Sequence, residues 1–179
     1  MSPEVKVFFE SIFLSNPVFM VFAGSLLAAA GPEGTRSSFR PALKYAVVFA
    51  AAGGIGGLLG SAAGPEAAPA VYTAVAIASA LLLVNWGELK GEWLGIPKVF
   101  LAAAPLAGLQ ITASGYESFS LIVSAAAGSS LGFAWAYIVI GSIREFSKIS
   151  EAPDIFKTYP VVLFSMAVFA LVMPGFLFY

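Results

Sequence analysis

The sequence predicts an all-α fold: a polytopic membrane protein whose six transmembrane helices form two inverted three-helix halves, with broken helices 1 and 4. The nine Lys and Arg and ten Asp and Glu residues are clustered, and they leave six charge-free stretches at 11–32, 45–65, 67–87, 99–116, 118–143 and 158–179. Each stretch reaches the roughly 17 residues that a helix needs to cross a bilayer. Hydrophobic residues make up 59% of the chain and charged residues only 11%, against about 25% charged in soluble domains. A water-soluble domain of this composition would lack polar surface.

We expect one transmembrane domain over residues 1–179, with helices at about 3–30, 41–60, 69–86, 93–110, 118–144 and 158–178. Helix 1 begins near Pro3 and is interrupted at Asn16-Pro17. Proline lacks a backbone donor and moves the preceding residue away from helical geometry, so two half-helices are expected here. The turn-forming residues at 31–34 then end the span.

Helix 2 starts near Pro41 and carries an unusually small face, GGIGG at 53–57 followed by Gly60. Small residues let helices approach closely in lipid. Two interpretations stay open for this face: a packing seam, or a loosened hinge or ion-lining stretch.

Helix 3 covers about Pro69 to Trp86, and aromatic residues such as Trp86 anchor spans at the membrane interface. Helix 4 has the shortest charge-free run, with Pro97 at its start, Pro105 in its middle and Gly108 after it. We expect a second break near residues 103–105 and place 110–117 in the outer loop that follows.

Helix 5 is long and ends in Arg144-Glu145, the one adjacent charge pair at a predicted helix end. Either this pair is an interfacial anchor with a solvated neighbour, or it contacts another subunit. Helix 6 carries Pro160 in its first turn, where proline is tolerated.

The first and fourth spans are alike, because each is a proline-opened segment rich in small residues, at 16–30 and 96–108. They occupy corresponding positions if helices 1–3 and 4–6 are two halves of one repeat, and three helices per half force the halves to be inverted. Paired interrupted spans in inverted halves indicate a central site at mid-membrane depth.

Orientation follows from the basic residues, which stay in the cytoplasm when they flank short loops. All but Lys6 of the nine Lys and Arg residues follow helices 1, 3 and 5. We therefore expect a multi-pass protein of the cytoplasmic (inner) membrane with both termini outside.

Histidine and cysteine are both absent. The usual ligands of zinc, haem and iron–sulfur clusters are therefore missing, as is a thiol nucleophile. No buried acid–base pair replaces them, so we expect no catalytic or metal-binding residues, no cofactor held by this chain, and no catalysis by the chain alone.

The chain resembles the six-helix membrane subunits of the Rnf and Nqr respiratory complexes, the A/E and D/E pairs. The resemblance is strongest in the last third of the chain. It is carried by SAAAGSSLGF at 124–133 leading into GSIRE at 141–145, then Ala152-Pro153 and the closing MPGF at 173–176. Asn16-Pro17, with Gly24 eight residues beyond the asparagine, is similar to the family's first half-helix.

The resemblance implies that two such subunits of inverted topology pack face to face. In the family, cysteines from broken helices 1 and 4 hold an intramembrane iron–sulfur cluster that passes electrons across the bilayer. Here the corresponding positions are Leu26 and Ala103 or Ala104, which cannot ligate iron.

We therefore expect a non-redox integral subunit of a multi-subunit respiratory or ion-translocating complex. Its partners are other integral membrane subunits, among them a homologous one, and the lipid bilayer, with no nucleic acid. Residues expected at mid-membrane depth or at a subunit contact are Asn16, Pro17, Gly24, Ser25, Pro105, Gly108, Ser129, Ser130, Arg144 and Glu145; Ser165 is a further polar group for ion passage. The alternative is a small membrane transporter or the substrate-binding membrane component of a vitamin-type importer, although no span contains the ionisable residue that transport sites usually retain.

Overall fold

A computed structural model describes residues 2–17, 19, 22–149 and 159–175 of the chain. It is mostly helical, at 81%, which confirms the predicted all-α class. Two helices of the described part are long and apolar enough to cross a membrane, Thr35–Asn85 and Phe119–Lys148. The predicted 152–153 loop, Lys157 and the last residues of predicted helix 6 lie outside the described residues.

The first predicted span consists of separate helices. Helix α1 covers Pro3–Phe13, with proline in its first turn and Glu4 close to the positive end of the helix dipole. Helix α2 covers Ser25–Ala29. It follows Gly24, whose φ of 93° lies in the left-handed region. Phe22 also has a positive φ of 56°, so the chain turns sharply into α2.

Helix α3 covers Thr35–Asn85 and contains the predicted second and third spans. It begins six residues before the predicted start at Pro41, because Arg36 and Arg40 are residue types that favour a helix. Gly64 has non-helical angles, φ 78° and ψ 169°. A Cβ at Gly60 would collide with the Tyr72 ring, whereas a straight helix would separate these positions by about 18 Å. The two arms of α3 therefore fold back on each other at Gly64.

The predicted fourth helix does not begin at residue 93, because Glu92–Trp93 (β1) and Ile96–Pro97 (β2) pair as a small antiparallel hairpin. Leu94 and Gly95 at its turn have φ values of 53° and 75°, as a two-residue type I′ turn requires. Helix α4 then covers Lys98–Leu101, and helix α5 covers Ala103–Ser114. The interruption falls at Ala102, just before the predicted 103–105 stretch.

Helix α6 covers Phe119–Ile149 and helix α7 covers Tyr159–Gly175. Arg144 and Glu145 therefore lie within α6 and not at its end, which corrects the sequence prediction. Helix α6 is central: it packs most extensively against α3 and α1, and α3 also packs against α5.

The small face of α3 is a packing seam. A Cβ at Gly53 would lie 3.1 Å from the Ala126 Cβ, and one at Gly57 would lie 2.8 Å from the Ala113 Cβ. These close approaches bring α5 and α6 against the first arm of α3, as small residues permit. The hinge is at Gly64 instead, beyond this face.

Candidate functional site

The two interrupted segments meet inside the bundle. A Cβ at Gly108 would lie 2.9 Å from the Pro17 Cβ, and one at Gly24 would lie 2.9 Å from the Pro105 Cβ. Pro17 and Pro105 are buried. The sequence predicted two broken segments, and the structure brings them into direct contact.

Asn16 is the polar centre of the first interruption, and its side chain is 0% exposed. Its Nδ2 donates to the carbonyl oxygens of Ser11 at 3.2 Å, Ile12 at 3.1 Å and Ser129 at 3.0 Å. Ser11 and Ile12 lie in the last turn of α1, where carbonyls lack a following helical N–H. The amide therefore caps the end of α1 and ties it to α6.

Glycines on α6 make room for this arrangement. A Cβ at Gly132 would collide with Asn16 Nδ2 and the Ile12 carbonyl, and one at Gly128 would collide with the Phe8 carbonyl. Trp135 lies beside the same region, with its ring centroid 5.8 Å from that of Phe13.

A buried aromatic cluster lies between α3 and α6. It consists of Tyr45, Phe49, Phe133 and Tyr137, with neighbouring ring centroids 4.7 to 6.1 Å apart. Phe133 also packs on Gly24, where a Cβ would lie 2.7 Å from its Cε2. The aromatic cluster therefore packs beside the first interruption.

Three buried polar oxygens have no hydrogen-bond partner among the described residues: Ser11 Oγ, Gln110 Oε1 and Ser129 Oγ. Only Ser129 was among the predicted site residues. Gln110 was wrongly placed in the outer loop, because α5 continues to Ser114 and buries it completely. Its position inside the charge-free stretch 99–116 was the signal that could have found it. Ser11 also lies in a charge-free stretch, 11–32, but a serine is ordinary in an apolar helix and did not stand out there.

The other predicted polar residues are in ordinary environments. Ser25 and Ser130 are buried, and Ser130 Oγ donates to the Ala127 carbonyl at 2.9 Å. Ser165 on α7 is half-buried and Glu145 is exposed. None of these side chains lies with the others in one polar channel in the described part of the chain.

Arg144 joins α6 to the segment that follows α2. Its Nη1 donates to the Gly31 carbonyl at 2.6 Å and its Nη2 to Glu33 Oε1 at 2.9 Å. Lys148 also pairs with Glu33. The hydrogen bond from Lys148, together with the charge of Arg144, holds the pKa of the Glu33 carboxyl below its ordinary value. Arg144 is therefore engaged within the chain.

The same end of the molecule holds a second ion pair. Lys44 Nζ lies 2.5 Å from Glu88 Oε1 and donates to the Trp86 carbonyl at 3.1 Å. This pair joins the start of α3 to the segment after its second arm. Residues that follow predicted helices 1, 3 and 5 thus share one end of the bundle.

The residues expected, from the resemblance, at the cysteine positions are exposed. Leu26 is 47% exposed, and Ala103 and Ala104 are exposed as well, whereas Leu27, Ala28 and Ala102 beside them are buried. Their aliphatic side chains offer no electron pair to a metal, so they do not fit an iron–sulfur cluster. No group of three or more acidic residues that could hold a metal occurs in the described part.

No protein-family model, curated protein or solved structure matches this chain.

Proposed function

We propose that this chain is an integral membrane subunit of a multi-subunit, Rnf/Nqr-like respiratory or ion-translocating complex, in which it has a structural and not a redox role. The observation that carries the proposal is the contact between the two interrupted segments, Pro17 on Gly108 and Gly24 on Pro105. Half-helices leave backbone groups that lipid cannot satisfy, so they must face protein. Here they face each other, while Leu26 and Ala103 beside them point outward.

Embedding in a membrane is supported by what the molecule exposes. Large apolar side chains more than half exposed occur on both arms of α3, on α5 and on α7, including Leu43, Leu59, Leu81, Ile111 and Leu163. Such a distribution of apolar surface suits lipid and not water. Because α3 folds back at Gly64, its 51 residues supply two crossings, and the interrupted segments and α6 and α7 supply the remaining four.

Orientation in the inner membrane with both termini outside is part of the proposal. The charged end formed by Arg144, Lys148, Lys44, Lys90 and Lys98 is the cytoplasmic end in this arrangement, since basic residues flanking spans are retained there.

A transporter acting alone fits the interior less well. No Asp, Glu, Lys or Arg is buried among the described residues, whereas transport and proton-relay sites usually retain one. The aromatic cluster packs beside the first interruption, where Phe133 lies against Gly24. A subunit whose exposed face at Leu26 meets a second membrane subunit accounts better for this packed interior and apolar surface.

Purification from native membranes in mild detergent tests the proposal, with the co-purifying chains identified by mass spectrometry. We expect at least one polytopic partner with the opposite distribution of basic residues. Leu26→Trp should remove that partner, because a larger side chain would block close approach at this face. Leu59→Trp is the matched control, since Leu59 is 51% exposed but lies on α3 away from the interruptions.

A wild-type chain that purifies alone would refute the subunit proposal. If the partner co-purifies with the Leu26→Trp variant as well as with the Leu59→Trp variant, the exposed face at Leu26 is not where the partner binds. Iron analysis of the purified pair addresses the redox role: a stoichiometric cluster held by these two chains alone would contradict a purely structural subunit.

A further inference from the structure

A polar cavity of about 300 Å³ opens at the charged end of the molecule. Its lining includes Lys90, Lys98 and Glu88, and the buried residues Tyr45 and Tyr137. A cavity of this size accommodates a small polar group. It is formed where the segment after α3 passes close to α2 and to the start of α3.

The charge of this lining is basic. Glu88 is already neutralised by Lys44, at 2.5 Å. Lys90 and Lys98 form no ion pair with any described residue. Two basic residues therefore line the cavity without a counter-charge in the described part of the chain, and their electrostatic complement is an anion.

An apolar groove of about 320 Å³ shares the short helix α4 with this cavity. Lys98 lines the cavity, and the next two residues, Val99 and Phe100, line the groove. The groove continues between α5 and the second arm of α3, past Ala107 and Ile77. A basic polar cavity and an apolar groove thus have lining residues that follow one another on α4, and this combination matches one amphiphilic molecule.

We propose that the cavity and groove bind one anionic phospholipid of the cytoplasmic leaflet. Its phosphate lies between Lys90 and Lys98, and one acyl chain follows the groove along α5. The inference rests on the membrane orientation proposed above, which places both lysines at the inner leaflet, where basic pockets between helices bind anionic headgroups.

Native mass spectrometry of the full-length chain in detergent tests this site, with phosphatidylglycerol and phosphatidylcholine of identical acyl chains as probes. We expect selective retention of phosphatidylglycerol. Replacing both lysines, Lys90→Gln with Lys98→Gln, should weaken that binding about thirtyfold, from the usual increment per basic residue at a membrane surface. The matched control is Arg36→Gln with Arg40→Gln, which removes two exposed charges from the same end outside the cavity. This control should change binding less than about threefold.

The groove is tested separately by Ala107→Phe, which should weaken phosphatidylglycerol binding while both lysines remain. Equal retention of the two lipids by wild-type protein would overturn the inference, as would equal losses in the lysine and arginine double variants. Displacement of the lipid by glycerol phosphate at similar concentration would identify a free phosphate ester as the ligand and overturn the lipid assignment.

Folding and membrane location are checked on the same samples. If the lysine double variant does not keep the wild-type circular dichroism, the lipid site is tested in two other ways. These are the comparison of the two lipids on wild-type protein and the binding of phosphatidylglycerol to the single variant Lys98→Gln. Wild-type protein recovered without membranes would refute the membrane proposal itself. Membrane-bound protein without lipid selectivity would refute only this site.

Discussion

Replacing Asn16 is the most direct test of the first interruption. Asn16→Ala removes an amide that bonds three carbonyl oxygens, those of Ser11, Ile12 and Ser129, at 3.0 to 3.2 Å. The amide carries two hydrogens, so at most two of these bonds are strong at one time.

The expected loss follows from what remains after the substitution. A buried polar group without a partner costs about 1–3 kcal/mol, and two strong bonds are lost. Individual hydrogen bonds in membranes average about 0.6 kcal/mol by double-mutant cycles, so the upper end of the range does not apply to each bond. We expect Asn16→Ala to lower the free energy of unfolding by about 2–4 kcal/mol, the cavity left by the amide included.

Titration with sodium dodecyl sulfate in mixed micelles, followed by tryptophan fluorescence, measures this loss. Trp135 is a local reporter because its ring packs against Phe13 and Phe19 at the interruption. The matched control is Asn85→Ala at the end of α3, because Asn85 is the only other asparagine and is exposed. We expect its effect to stay within about 0.5 kcal/mol.

Asn16→Asp separates hydrogen bonding from volume, because it keeps the shape but replaces the donors with an acceptor. At pH 8 it should destabilise the chain at least as much as Asn16→Ala. If the aspartate variant is as stable as wild type, or if Asn16→Ala costs no more than Asn85→Ala, the capping role of this amide is wrong.

Three further predictions concern packing, pH and topology. Gly132→Ala should lower the free energy of unfolding by about 2 kcal/mol or more in the same titration, since overpacking costs about 1–3 kcal/mol. The control Gly54→Ala has open space at its Cβ and should raise that free energy by up to about 1 kcal/mol. Equal effects of the two variants would refute the close approach of α1 and α6. The lowered pKa of Glu33 means that its folded form favours the carboxylate, so its stabilisation is present above about pH 4.5 and is lost as pH falls through the lowered pKa. Glu33→Gln should flatten that part of the pH profile, and an unchanged profile would show that this carboxyl contributes nothing. In a chain without native cysteine, Ser2→Cys should react with an impermeant thiol reagent in intact cells and Arg36→Cys should not, and the opposite pattern would reverse the proposed orientation.

Local chemistry explains what was predictable about the helices. Pro17 disfavours a continuous first helix because it lacks a backbone donor, which is a property of the residue itself. Gly24 permits the left-handed angle that the structure shows, but it does not impose that angle. Element ends were less predictable. Helix α3 begins at Thr35 and α6 continues to Ile149, since a charged residue marks an expected membrane boundary but does not end a helix.

Burial and pairing could not be predicted in the same way. Gln110 was expected in a loop, and only its packing against Gly56 on α3 shows that it is a core residue. Arg144 was expected to be an interfacial anchor or a subunit contact, and its bonds to Gly31 and Glu33 cross more than a hundred residues of sequence.

The sequence by itself determined the helical class, the two interruptions, the distribution of basic residues and the lack of thiolate and imidazole ligands. These follow from residue type and spacing, and long-range contacts do not alter them. Only the tertiary structure decided that the interruptions meet, that Asn16 caps α1 against α6, and that Lys90 and Lys98 line one cavity beside an apolar groove. Each of these depends on which distant segments pack together, and many small-residue helices of similar composition permit more than one such packing.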